Sequence, residues 1–175
     1  MSNFNVQEPI SVANFIIDYA QKTGRSVSNL QLQKIMYFIQ GAFLNEYNKE
    51  LLNSSFSRWQ YGPVLKEVYA IFRDNGSLPI EKLAITAQIK NGVFELGEPQ
   101  KTTSENLGDG SVFKYLQEVT SKLLEIAPWE LVEISHNQDI WYDHKDEILN
   151  HMAPDYKNEE IKNACKDNIN LWQKQ

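Results

Sequence analysis

Cysteine is nearly absent from this chain: Cys165 is the only one in 175 residues. That excludes an internal disulfide framework and any cysteine-based zinc site, and it fits a reducing compartment. No apolar run approaches the ~20 residues that a membrane span needs. The N-terminal stretch MSNFNVQEP lacks both the basic and the apolar region of a signal peptide. The expected setting is the cytoplasm, with no membrane contact. The eight glycines never take the spacing of a phosphate-cradling loop, which argues against a nucleotide-driven enzyme of a familiar kind. Bases are also scarce, with 17 Lys/Arg against 23 Asp/Glu, a net charge of −6 and a pI near 5.1. General nucleic-acid binders are normally basic, because neutralised phosphates supply most of their non-specific affinity. Direct nucleic-acid binding is therefore not expected.

What is present begins with an uneven charge distribution. Residues 1–82 carry a net +1 and hold all three arginines, Arg25, Arg58 and Arg73, whereas residues 83–175 carry −7. Between Glu118 and Glu147 eight acids face only Lys122 and Lys145. Such a face keeps a protein soluble, and it also steers a basic partner.

The length fits one domain at roughly 100–200 residues each. Residues 1–10 read as a loose N-terminal arm and 11–175 as the domain. Val12, Phe15, Ile16, Tyr19 and Ala20 recur with helical spacing behind Ser11 as a candidate N-cap. Ser28 and Gln31 have capping-box spacing, and Leu32, Ile35, Met36, Ile39 and Phe43 follow as a stripe. Apolar residues on its other faces make this second helix the expected centre of the core. Pro63 suits a first helical position, and Val64, Leu65, Val68, Ile71 and Phe72 form a third stripe ending near Asn75-Gly76. From Leu83 to Leu96 the period changes to two around Asn91-Gly92, the signal for a type I′ hairpin. Residues 97–110 read as an exposed loop. Helical stripes resume at Val112–Ile126, Leu131–Ile134 and Ile161–Trp172. The expected fold is mainly α, a compact domain of about six helices with one small β-hairpin around 83–96.

Candidate chemistry is thin. His136, His144 and His151 lie eight and seven residues apart, not at the four-residue spacing that puts two imidazoles on one metal. No metal or cofactor is expected. Ser135 and His136 are neighbours whose side chains diverge on a helix, and Cys165 sits on an apolar stripe. A catalytic role is judged unfavourable, with His136 assisted by Asp139 or Asp143 as the remaining enzyme reading. Trp59, Tyr61, Tyr69, His136 and Trp141 admit two readings, packing residues or anchors for a protein partner.

Leu32-Gln33-Lys34-Ile35-Met36-Tyr37-Phe38, then Gly41, Leu44 and Tyr47, then Trp59-Gln60-Tyr61-Gly62-Pro63-Val64 and Glu67-Val68-Tyr69, form a distinctive series. It resembles the pattern of the Panacea domain, the family of SocA-like antitoxins and phage-associated GepA proteins. Leu131-Val132-Glu133-Ile134-Ser135-His136 followed by Trp141 resembles its second signature. The family often has proline before that tryptophan and Ala-Arg after it. Here the run is Asp139-Ile140-Trp141-Tyr142-Asp143-His144, without either.

The resemblance implies a mostly helical bacterial or prophage antitoxin whose partner is a cognate toxin protein, neutralised by direct binding. Its alternative is an adaptor that hands the toxin to a AAA+ protease, as in the SocA branch. Trp59, Tyr61, Tyr69, His136, Asp139 and Trp141 are the candidate partner-binding residues. Leu32, Lys34, Tyr37, Gly62, Pro63, Val64 and Ser135 are the signature residues expected to be structural.

Overall fold

A computed structural model describes residues 3–173. Helix α1 (Pro9–Lys22) is followed by α2 (Asn29–Tyr47), a short ribbon of β1 (Ser57–Trp59) and β2 (Gly62–Val64), and α3 (Lys66–Phe72). A second ribbon pairs β3 (Ala87–Lys90) with β4 (Val93–Leu96). Six helices complete the chain: α4 (Ser104–Leu107), α5 (Gly110–Leu123), α6 (Pro128–His136), α7 (Asp139–Tyr142), α8 (Lys145–Leu149) and α9 (Asn158–Cys165). The class is mainly α as expected. The described residues nevertheless hold nine α-helices and two antiparallel ribbons, not about six and one.

Helix α2 is the axis of the molecule. Leu32, Ile35, Met36, Tyr37, Phe38, Ile39, Ala42 and Phe43 are all fully buried, and α1, α3, α5, α6, α9 and β2 pack around them. A helix apolar on every side is stable only when covered on every side. Its start carries half of a capping box: the Gln31 amide donates to Ser28 Oγ at 3.3 Å. The Gln31 side chain does not return to the cap. It donates instead to the Ile126 carbonyl, tying α2 to the end of α5.

Several local expectations need correction. The stretch before the first helix is docked: Phe4 packs edge-on against Phe43 and Tyr47, Asn5 N donates to the Leu107 carbonyl, and Gln7 pairs with Leu52. One buried phenylalanine and a bridge fix a segment too short to show periodicity. Met1 and Ser2 lie outside the described residues. Helix α1 begins at Pro9 behind Glu8, because proline at the first turn is a start signal in its own right. Within 97–110, Thr103 and Asn106 close a capping box on α4 and bury Leu107. The third stripe and the last one each finish as a 3-10 turn, at Arg73–Asn75 and Lys166–Leu171.

The expected hairpin forms with Asn91 at φ 53 and Gly92 at φ 77, the left-handed pair that a type I′ turn requires. Neither face of the ribbon is covered, for all eight strand residues are exposed. Ile89 and Phe94 face each other, 65% and 77% exposed, and Leu96 beside them is 82% exposed. The ribbon stands clear of the helices.

Candidate functional site

Pro63 does not begin a helix. Trp59-Gln60-Tyr61-Gly62 turns the chain back on itself, with Trp59 opposite Gly62 and Arg58 opposite Pro63. Gly62 sits at φ 90, where a side chain is strained, and its missing Cβ leaves room for two neighbours. A Cβ there would come within 2.5 Å of Ser135 Oγ and 3.0 Å of Lys34 Cε. The ribbon thus lies directly on α2 and α6.

The signature residues hold it there. The Lys34 ammonium, fully buried, donates to the Pro63 carbonyl at 2.8 Å. Gln33, its neighbour on α2, accepts from the Leu65 amide at 2.9 Å and donates to Asn29. Ser135 donates to the Val132 carbonyl, which keeps its Oγ within its own helix and beneath Gly62. Tyr37 donates to Gln138 Oε1 at 2.6 Å, and Trp141 Nε1 donates to the Trp59 carbonyl at 3.0 Å. Leu32 and Val64 are core residues. Arg58, which the sequence reading passed over as a site residue, is the tightest clamp. It donates to the carbonyls of Ile140, Pro154 and Asp155 and to Glu160, and its guanidinium lies 4.3 Å from the Tyr156 ring.

Above this lock lies a cleft of about 570 Å³, bordered by Trp59, Gln60, Tyr61 and Tyr69 on the ribbon side and by Ile148 and Leu149 on the other. Trp59 and Tyr69 meet at 4.8 Å edge-to-face, and Tyr61 meets Trp129 at 5.5 Å in the same way. Tyr61 is 51% exposed and Tyr69 36% exposed. A smaller hollow of about 220 Å³ continues past Gln60 and Tyr61 to His136, Trp141 and Lys145. His136 stacks on Trp141 with ring centres 3.7 Å apart, and its Nε2 is buried without a partner. Burial lowers its pKa, against the pull of the nearby Gln60 backbone.

Five of the six candidate contact residues therefore border one continuous surface. Trp141 is nearly buried and supports it, whereas Tyr61 and Tyr69 are its exposed tips. Asp139 is the exception. It lines a separate groove with Gln138, Asn163, Asp167 and Asn168. No hydrogen bond joins His136 to Asp139 or Asp143 among the described residues, so the enzyme reading has no assembled acid–base pair. Trp129, Ile148 and Leu149 went unnoticed in the sequence because they sit on short helices with too few turns to display a face.

Cys165 is an interior thiol. Its Sγ lies where a Cβ on Gly41 would stand, and burial pushes its pKa up to about 12. Among the described residues no three His, Cys, Asp or Glu side chains group as metal ligands. None of the described helices is long and apolar enough to cross a membrane.

Lys34 has a measurable consequence for stability. Burial lowers its pKa from 10.5 to about 7. Below pH 7 folded and unfolded chains both hold the proton, and folding carries the cost of burying an ammonium. Between pH 7 and 9 the folded chain releases it first, so the unfolded state binds more protons and stability rises with pH. Above pH 9 the unfolded chain begins to ionise Cys165 while the folded chain does not, which opposes the rise. Urea titrations at pH 7, 8 and 9 should show stability climbing by up to about 1.4 kcal/mol per pH unit in the native sequence. Lys34→Met should flatten the profile. An equally steep profile in the variant would remove Lys34 as its source.

Comparison with known proteins agrees with the signature residues. The family model described as "Antitoxin SocA-like, Panacea domain" matches residues 32–142, which include most of α2, both ribbons and α6. Antitoxin SocA of Caulobacter vibrioides (strain NA1000 / CB15N) is 32% identical over 126 residues, covering 72% of this chain and 63% of that protein. The chain thus spans less than two thirds of the length of this relative. No solved structure matches significantly. With the family pattern placed residue by residue in the lock between ribbon and helices, the chain belongs to the SocA-like antitoxin family, the Panacea domain.

Proposed function

We infer that this chain is an antitoxin that binds its cognate toxin protein directly and blocks it. Beyond family membership, the supporting observation is the pair of exposed tyrosines on the cleft rim. Tyr61 sits in the turn of a ribbon that Arg58, Lys34 and Trp141 hold in place, and Tyr69 on α3 packs against Trp59 of that ribbon. Rigid aromatic side chains at the edge of a cleft lose little entropy on binding and are the usual hot spots of protein interfaces. The eight acids between Glu118 and Glu147 are all exposed, so they are free to steer a partner with a basic surface. Cofactor and catalytic chemistry have no part in this reading.

Co-expression with the product of the neighbouring open reading frame, as the candidate toxin, tests the proposal. The native chain should restore growth and co-purify with the toxin. Tyr61→Ala should weaken binding about tenfold or more while leaving the thermal midpoint within a few degrees. Absence of both growth rescue and a complex with the native chain would sink the reading. The adaptor alternative differs in toxin abundance: a direct inhibitor leaves toxin levels high, whereas an adaptor lowers them in a protease-dependent way.

A further inference from the structure

The charges around the cleft run opposite to the charge of the chain. Lys34, Arg58 and Arg73 line it, and Lys145 lines the hollow that continues from it. Among the described residues no aspartate or glutamate lines either cavity, although acids outnumber bases 23 to 17 in the sequence. Arg58 is matched by Glu160 at 3.1 Å, and Arg73 by Asp74 at 3.5 Å where both side chains are largely exposed. Lys34, bonded to the Pro63 carbonyl, and Arg58 are buried, so the cations a ligand can reach are Arg73 and Lys145. The walls between these cations are Tyr61, Tyr69, Ile148 and Leu149. A complementary ligand carries carboxylates interleaved with apolar side chains.

We propose that the cleft receives an acidic, apolar segment of the partner protein, with carboxylates near Arg73 and Lys145 and apolar side chains against Tyr61 and Leu149. The proposal rests on the antitoxin reading and names the chemistry of its partner. A nucleic acid is disfavoured, because the chain as a whole carries a net charge of −6 and repels a long polyanion. A short peptide segment presents its charge to the cleft alone.

The test uses the full chain, a short fluorescein-labelled peptide of glutamate, leucine and phenylalanine, and its counterpart with glutamine in place of glutamate. The acidic peptide should bind about tenfold tighter than the glutamine one. A variant combining Arg73→Glu and Lys145→Glu should lose about tenfold of that affinity with its thermal midpoint preserved, since both side chains are exposed. Equal affinity for the two peptides, or an unchanged double variant, overturns the proposal. Tighter binding of a single-stranded oligonucleotide of equal charge overturns it as well and assigns the cleft to nucleic acid. Co-expression separates the two readings. If the double variant still neutralises the toxin as the native chain does, the cleft proposal fails and the antitoxin reading stands. If the native chain binds the acidic peptide as expected but does not neutralise, the antitoxin reading fails and the preference of the cleft stands.

Discussion

Arg58→Ala should lower stability by about 3–5 kcal/mol, the cost of breaking a buried charged network from one side. The guanidinium side chain is 1% exposed and satisfies three backbone carbonyls and Glu160 in a single clamp. Removing it leaves the carbonyls of Ile140, Pro154 and Asp155 without that donor and strips the cation from the Tyr156 face. For a chain of this size the thermal midpoint should fall by about 10 °C. Arg58→Lys should restore little of this, because one ammonium cannot reproduce bonds spread over three nitrogens. Differential scanning calorimetry on the three proteins decides the matter. A loss in Arg58→Ala below about 1 kcal/mol would mean that the clamp is incidental.

The second large effect is at Gly62. Alanine there meets Ser135 Oγ at 2.5 Å and Lys34 Cε at 3.0 Å, and must also hold φ 90. The conformational strain costs about 1–2 kcal/mol and the overlap about as much again, so Gly62→Ala should destabilise by about 3 kcal/mol. The two contributions separate in a double-mutant cycle. Ser135→Ala removes the oxygen in the way and should recover about 1 kcal/mol of the Gly62→Ala loss, leaving the backbone strain untouched. Strict additivity of the two substitutions in urea unfolding would show that the close approach of ribbon and α6 is not what requires glycine.

These effects also mark what the sequence made legible. The axial helix α2 was readable because an all-round apolar segment of 19 residues has only one stable place, the centre. The Asn91-Gly92 turn was readable because few residues tolerate two successive positive φ values. The first ribbon was not. Its strands are three residues long, too short for periodicity, and Gly62-Pro63 reads equally well as a helix start. Burial of the second ribbon is not legible, because alternation reports a two-faced strand, while coverage of the apolar face depends on what packs above it. The segment 128–149 divides into three short helices, since Gln138 and His144 act as breaks that no proline or glycine announces. Of the candidate site, the aromatic rim was legible as residues and the lock beneath it was not. Lys34 carried a signal in being charged on a buried helix, but its partner, a backbone carbonyl 29 residues away, has no side-chain signature.

On the antitoxin reading, salt reaches the exposed acids and the aromatic rim unequally, and that divides the life of a complex into two separately adjustable rates. Charges on the surface between Glu118 and Glu147 are screened beyond about 8 Å at physiological ionic strength, so they would set how often partners meet. Tyr61 and Tyr69 carry no charge to screen and act only once a partner is seated. Raising ionic strength should therefore slow arrival more than it hastens departure. Substitution of Tyr61 or Tyr69 should shorten residence without altering arrival.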